Sequence, residues 1–103
     1  RMGVKTSFFD PCDIDAYRAL FAEPVKAVWL ESPGSLTFEV CDVPALAAIA
    51  REHGAVSLID NTWASPLGFA ALEHGCDIVM MSLSKHVGGH SDLMMGSTSA
   101  GKR

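Results

Sequence analysis

The fold of this chain is decided by the stretch DIVMMSLSKHVGGHSD, residues 77–92. It starts with a short apolar run, Ile78 to Met81, which has the length and composition of a buried strand. The run ends in two serines, one lysine and a glycine-rich loop, as expected where a chain leaves a sheet. Because ligands of open α/β sheets bind outside the carboxyl ends of the strands, Lys85 is predicted to face a pocket.

The alternative for Lys85 is an ordinary solvated loop lysine. It is the only lysine or arginine between Arg51 and Lys102, so a salt-bridged surface is not the obvious explanation for it. Partial desolvation lowers the pKa of a lysine and makes it a nucleophile or base near neutral pH, which condensation with a carbonyl compound requires. On this residue alone both interpretations stay open.

Composition narrows the class of protein. The chain has 103 residues, of which 49% are hydrophobic, and a formal net charge of -4, which predicts one globular unit. A mildly acidic balance without basic clusters argues against nucleic acid or an anionic membrane as the main partner. No apolar run approaches the roughly 18 residues of a membrane span, and no signal-peptide pattern opens the sequence. A cytoplasmic location is therefore predicted.

Cysteine and histidine spacing does not indicate a disulfide framework or a metal site. The three cysteines are widely spaced and include no Cys-x-x-Cys pair: Cys12, Cys41 and Cys76. They are predicted to be reduced and to act as small hydrophobic residues. His86 and His90 are four residues apart, but glycines lie between them, while His53 and His74 fall near predicted helix ends. No metal ligand is predicted.

Alternating segments predict an α/β fold with a mostly parallel sheet flanked by helices. The expected strands are Val4 to Phe9, Ala27 to Leu30, Val56 to Ile59, Ile78 to Met81 and Leu93 to Ser97. The expected helices run from Asp13 to Pro24, from Asp42 to Gly54 and from Ser65 to Gly75, with Gly68 weakening the last. No linker or internal repeat divides the chain.

Three successive predicted strands end in polar groups, namely Glu31 to Ser35, Asp60 to Thr62, and Ser82 to Lys85. If the strands are parallel neighbours, the three groups meet at one edge of the sheet. The carboxylate of Asp60 and the amine of Lys85 then face one crevice. Taken alone, Asp60 is better explained as a turn-forming aspartate after a strand.

The pairing of these residues fits pyridoxal phosphate. That cofactor needs a lysine for its Schiff base, a carboxylate opposite the pyridine nitrogen and neutral donors for its phosphate. Lys85, Asp60, and Ser82 with Ser84 provide these three elements. The sequence therefore predicts a pyridoxal-phosphate site.

A serine-nucleophile site is a rival interpretation, because Ser82 and Lys85 also satisfy the pattern Ser-x-x-Lys. Enzymes of that class carry Ser-Asp-Asn and Lys-Thr-Gly elements as well. Here Ser91 and Asp92 are followed by Leu93, and no Lys-Thr-Gly occurs. This interpretation is the weaker one.

Three motifs together resemble the cysteine and methionine metabolism family of pyridoxal-phosphate enzymes. They are Glu31 to Ser35 with Glu39 to Pro44, then Asp60 to Ala64, then Ser82 to Asp92. The resemblance covers essentially the whole chain and is strongest to the β-lyase branch. It implies the large domain of the aspartate-aminotransferase-like fold, called fold type I, in a larger and typically tetrameric enzyme.

By this resemblance Lys85 would carry the cofactor covalently, Asp60 would pair with its pyridine nitrogen, and Ser82 and Ser84 would bind its phosphate. The implied reaction is β-elimination of cystathionine, an amino-acid substrate, to homocysteine, pyruvate and ammonia. Synthase or γ-lyase chemistry is the alternative; relatives of those kinds tend to have asparagine where this chain has Ser35, which favours the β-lyase branch. His86 also departs from the family, which often has tyrosine there. A non-catalytic domain that binds a phosphorylated molecule is a distant alternative.

The termini predict that residues 1–103 are an internal piece of the cofactor-binding domain. The chain begins with Arg1 and ends Gly-Lys-Arg, which is neither a natural start nor a tapering tail. Parts of the family's site are not found in it: the upstream phosphate loop, the aromatic residue that stacks on the ring, and the arginine that grips the substrate carboxylate. The piece alone is expected to be inactive.

Overall fold

Four strands form one mixed sheet: β1 (Ala27–Glu31), β2 (Val56–Asp60), β3 (Ile78–Ser82) and β4 (Gly96–Ala100). They lie in the order β1-β2-β3-β4, with β1, β2 and β3 parallel and β4 antiparallel to β3. The computed structural model describes residues 2–102. The predicted α/β fold with a mostly parallel sheet is confirmed.

Two helices begin where the sequence predicts, because an aspartate caps each. In α1 (Ile14–Ala19), which continues as a 3-10 turn over Leu20–Ala22, the side chain of Asp13 accepts a hydrogen bond from the Ala16 amide. In α2 (Val43–Glu52), the side chain of Asp42 accepts one from the Ala45 amide at 3.0 Å. A side-chain oxygen at this position satisfies an otherwise unpaired amide of the first turn.

The core lies between α2 and one face of the sheet. Strand residues alternate, so that Val28 and Leu30 of β1 and Ile59 of β2 are buried against Leu46 of α2. On the opposite face the side chain of Trp29 is 54% exposed. The strand expected from Ala27 to Leu30 is thus present as β1. The structure buries one face only, because the described helices cover only that face.

The prediction of a strand from Val4 to Phe9 is wrong, since these residues form no strand among those described. The ring of Phe9 instead packs on that of Tyr17, with their centroids 4.7 Å apart. An apolar β-prone run needs a strand partner to become a strand, and this one has none within residues 2–102.

Two further elements differ in extent from the prediction. The helix α3 (Ser65–Gly68) ends at Gly68 instead of Gly75, because Phe69 adopts an extended conformation and turns follow. The last strand runs over Gly96–Ala100 and not over Leu93 to Ser97. Its sequence, GSTSA, has no large apolar residue, so a hydrophobic pattern cannot locate it. Backbone pairing with β3 defines it instead.

Candidate active site

The carboxyl ends of β1, β2 and β3 surround a cavity of about 170 Å³, as the strand arrangement predicts. Its lining includes both titratable residues that the sequence singled out, together with five others: Glu31, Ser35, Asp60, Thr62, Trp63, Lys85 and His86. The structure therefore brings the predicted lysine and carboxylate to one cavity. A second cavity, of about 210 Å³, lies between β3, β4 and the segment after α3 and is mostly apolar.

Lys85 lies in the loop after β3, three residues past the end of that strand. Its amide donates to the Ser82 carbonyl at 3.3 Å, which forms the turn that leads out of the sheet. Its side chain lines the cavity but is exposed, and within residues 2–102 its amine forms no salt bridge. The described residues therefore do not desolvate Lys85. Its amine remains available for a ligand.

Asp60 is the last residue of β2 and is half-buried. One carboxylate oxygen, Oδ1, accepts a hydrogen bond from the Thr62 amide at 2.9 Å. This is the aspartate turn that the Asp-Asn dipeptide predicted. Asp60 also lines the cavity, so the turn-forming role and a ligand-binding role are compatible in one side chain.

The two serines predicted to bind phosphate do not line the cavity of about 170 Å³. Ser82 ends β3, and its amide donates to Thr62 Oγ1 at 2.8 Å. The hydroxyl of Ser84 accepts from the Met95 amide at 2.8 Å and donates to the Met95 carbonyl at 3.2 Å. These bonds close the base of the lysine loop. Binding of phosphate by both serines stays a prediction.

Several residues of the cavity were not assigned a role from the sequence. Glu31 is opposite Asp60 in the parallel register of β1 and β2, and the Ser35 hydroxyl donates to a Glu31 carboxylate oxygen. Trp63 packs edge to face on Phe38, with ring centroids 5.4 Å apart. The Asp-x-Thr spacing is the signal that could have pointed to Thr62, because a side chain and an amide two residues apart pair in such turns.

The structure also bears on the cysteines, on metal binding and on membrane-spanning helices within residues 2–102. Cys12, Cys41 and Cys76 form no disulfide in the structure; Cys12 is exposed, whereas Cys76 is buried, and this burial raises the pKa of Cys76 to about 11. Within residues 2–102 no three His, Cys, Asp or Glu side chains are placed to hold a metal ion. None of the helices described is long and apolar enough to cross a membrane.

The arrangement of an amine and a carboxylate at the carboxyl edge of a parallel sheet is that of an α/β enzyme that holds a cofactor. Residues 1–102 match the family of Cys/Met metabolism PLP-dependent enzymes. The chain belongs to this family, and the resemblance inferred from its three motifs is confirmed.

Individual relatives agree with this membership. The chain is 46% identical to the cystathionine beta-lyase MetC of Escherichia coli, over 94% of its own length and 25% of that protein's. It is 44% identical to a putative cystathionine beta-lyase of Rhizobium johnstonii, over 97% of its length and 25% of that protein's. The chain thus spans about a quarter of the length of these curated relatives.

A solved structure gives the fold. The crystal structure of cystathionine gamma-lyase from Lactobacillus plantarum, complexed with L-serine, superposes with a TM-score of 0.88 and 37% sequence identity. The match covers 93% of this chain and 25% of that one. The four-stranded sheet therefore has the fold of type I pyridoxal-phosphate enzymes, as predicted.

Proposed function

We propose that this chain is the central part of the cofactor-binding large domain of a carbon-sulfur lyase that carries out β-elimination on cystathionine. The products are homocysteine, pyruvate and ammonia, and the reaction belongs to transsulfuration in methionine biosynthesis. The observation that carries the proposal is that Lys85 and Asp60 line one cavity at the carboxyl ends of parallel strands, in a chain of this family.

The side chains of the cavity fit pyridoxal phosphate by their chemistry. Lys85 offers an amine without a salt-bridge partner in the described part of the chain, and Asp60 offers a carboxylate in the same cavity. When bound, this cofactor supplies an aldehyde carbon that condenses with amines and a ring that accepts electrons. Lys85 is proposed to hold the cofactor covalently, and Asp60 to hold a proton on its ring nitrogen.

The phosphate is proposed to bind at Ser82 and Ser84. Both serines are half-buried and lie within three residues of Lys85 at the start of the loop. The Ser84 hydroxyl hydrogen is donated to the Met95 carbonyl, so it must rotate away from Met95 to reach a phosphate. A hydroxyl can make this exchange by rotation about one bond, without movement of the backbone.

Lys85 has a second proposed role as the base that takes the proton from the α-carbon of the substrate. An amine exchanges between base and conjugate acid, and its position at the end of an exposed loop side chain gives it reach across the cavity. Loss of the β-thiolate then releases homocysteine, and hydrolysis of the remaining unsaturated three-carbon amine by water gives pyruvate and ammonia. The proposed substrate is an amino acid. The groups that bind its carboxylate are proposed to lie in the full-length protein outside residues 1–103.

Cleavage on the γ side is the second candidate, favoured by the similarity to the solved cystathionine gamma-lyase. The two reactions give different keto acids from cystathionine. Pyruvate with homocysteine supports β-elimination, and 2-oxobutyrate with cysteine supports γ-elimination. Chromatography of the products from the full-length protein decides between them.

The full-length protein is proposed to be a cytoplasmic homotetramer, and residues 1–103 alone to be inactive and prone to aggregation. Association of subunits, and aggregation of the isolated piece, are supported by the many large apolar side chains that are more than half exposed, since such surfaces drive association. They include Phe8, Trp29, Leu36, Phe38, Val40, Leu67 and Met94. A soluble, monomeric and active preparation of residues 1–103 would contradict this.

Covalent capture of the cofactor tests the proposed site directly. Full-length protein is incubated with pyridoxal phosphate and reduced with borohydride, and its peptides are weighed by mass spectrometry. A pyridoxyl group on Lys85 is expected. Lys26→Ala is the control variant, because Lys26 is also an exposed lysine but precedes β1 at the opposite edge of the sheet. This variant should still carry the pyridoxyl group on Lys85. Reversible binding without a covalent product would instead support a non-catalytic phosphate-binding domain.

A further inference from the structure

The ladder between β2 and β3 ends just before the candidate site. Its last paired residues are Asp60 and Met80, and the Asn61 amide donates to the Met80 carbonyl at 2.9 Å. β2 ends at Asp60 while β3 continues to Ser82, whose amide has no partner in the ladder. It donates to a side chain, Thr62 Oγ1, at 2.8 Å.

Thr62 therefore contacts both Asp60 and the strand end that leads to Lys85. Its amide donates to Asp60 Oδ1 at 2.9 Å, and its hydroxyl oxygen accepts from the amide of Ser82, three residues before Lys85. Its side chain is only 7% exposed and also lines the cavity. One small residue thus joins the strand end that carries the carboxylate to the strand end that starts the lysine loop.

From these contacts we infer that Thr62 is a positioning residue that sets the distance between Asp60 and Lys85. The inference deepens the proposed function and rests on it. Of the two contacts, only the one to Ser82 depends on the side chain, because Thr62 donates to Asp60 through its backbone. Valine has the shape of threonine but no acceptor, so Thr62→Val leaves the Ser82 amide without its partner. Serine keeps the acceptor.

The test uses the full-length protein with Thr62→Val and Thr62→Ser, and Thr6→Val as the matched control. Thr6 is exposed and lies outside the site, so its variant makes the same chemical change without the contact. Amide hydrogen exchange at Ser82 is measured without cofactor. The apparent affinity for pyridoxal phosphate and the rate of borohydride-trapped capture by Lys85 are then measured, with urea unfolding to check each fold.

Thr62→Val is expected to speed exchange at Ser82 by about tenfold and to weaken cofactor capture by about fivefold to tenfold, the effect of one lost hydrogen bond. Thr62→Ser and Thr6→Val are expected to behave like the unmodified protein in both measurements. Rescue by serine separates positioning from general loss of stability.

Two results overturn the inference alone. Unchanged exchange at Ser82 in Thr62→Val means that the bond to Thr62 does not hold the loop. Faster exchange with unchanged capture means that the bond is structural and does not position Lys85. If the unmodified protein captures no cofactor at Lys85, the proposed function fails and this inference fails with it, so the two failures are distinguishable.

Discussion

Two aspartates lie at opposite ends of the strand pair β2 and β3 and differ in burial and in the number of their hydrogen bonds. Asp77, just before β3, is 7% exposed, and its Oδ2 accepts from the amide and hydroxyl of Ser57 at 2.8 and 3.0 Å. An Arg51 nitrogen lies 3.6 Å from its Oδ1. Asp60, at the other end of β2, is half-buried, accepts one hydrogen bond and forms no salt bridge in the described part of the chain.

The difference separates a structural carboxylate from a chemical one. Asp77 uses its hydrogen-bonding capacity to tie the start of β3 to β2, which makes it costly to remove. Asp60 keeps capacity for a ligand at the edge where the strands open into loops. Changes at the Asp77 edge are therefore expected to alter stability, and changes at the Asp60 edge to alter activity.

The largest effect is expected from Lys85→Ala in the full-length protein. It should reduce the proposed lyase activity by about 10⁴-fold, because both covalent attachment and proton removal are proposed for this amine. The urea midpoint should stay the same, since the exposed side chain has no salt bridge within residues 2–102. Activity close to that of the Lys26→Ala control would refute the assignment.

Asp60→Asn should reduce activity by about 10²-fold to 10³-fold, because a neutral amide holds a proton on the ring nitrogen poorly. Cofactor capture by Lys85 should survive, since it needs only the amine and the aldehyde. Turnover and borohydride trapping measured on one preparation separate the two effects. Unchanged turnover excludes the proposed role of Asp60.

Asp77→Ala should lower the free energy of unfolding by about 2–4 kcal/mol, because the buried Ser57 amide loses its acceptor. Activity per folded molecule should stay normal. Urea unfolding and active-site titration on the same samples provide the two readouts. Should activity fall without loss of stability, the contrast between the two edges would break down.

The smallest effect is expected at Tyr17, a buried group away from both edges. Its hydroxyl donates to the Leu46 carbonyl at 3.1 Å, and burial raises the pKa of Tyr17 to about 12. The folded state thus keeps a proton that the unfolded state loses above about pH 10. The contribution of Tyr17 to the free energy of unfolding is therefore fully present below pH 10. It falls by about 2–3 kcal/mol as the pH rises from 10 to 12.

Tyr17→Phe is the matched variant for this titration, because it keeps the ring and removes the ionisable group. Urea unfolding at pH 8 and pH 11 should show that the unmodified protein loses more stability than the variant over this interval. Parallel losses in the two proteins would mean that Tyr17 does not ionise on unfolding.

Prediction from sequence succeeded where the signal was local and chemical. A short apolar run followed by serine, lysine and glycine predicts a strand with a functional loop, and parallel strands bring such loops to one edge. That reasoning placed Asp60 and Lys85 together, as the structure does. It missed the hydroxyl of Thr62 and the link between Ser84 and Met95, because their partners lie 20 and 11 residues away along the chain.

By itself, the sequence determined the α/β class, the capped helices, the three parallel strands and the family. The helices and strands depend on residue type and local spacing, and the family depends on the order of three motifs along the chain. Only the tertiary structure decided that Gly96–Ala100 pairs antiparallel with β3, and that Val4 to Phe9 forms no strand in the described part of the chain. It also decided that Asp77 is buried and bonded while Asp60 stays available. The reason is physical, because hydrogen-bond partners across a sheet are chosen by chain packing and not by neighbours in sequence.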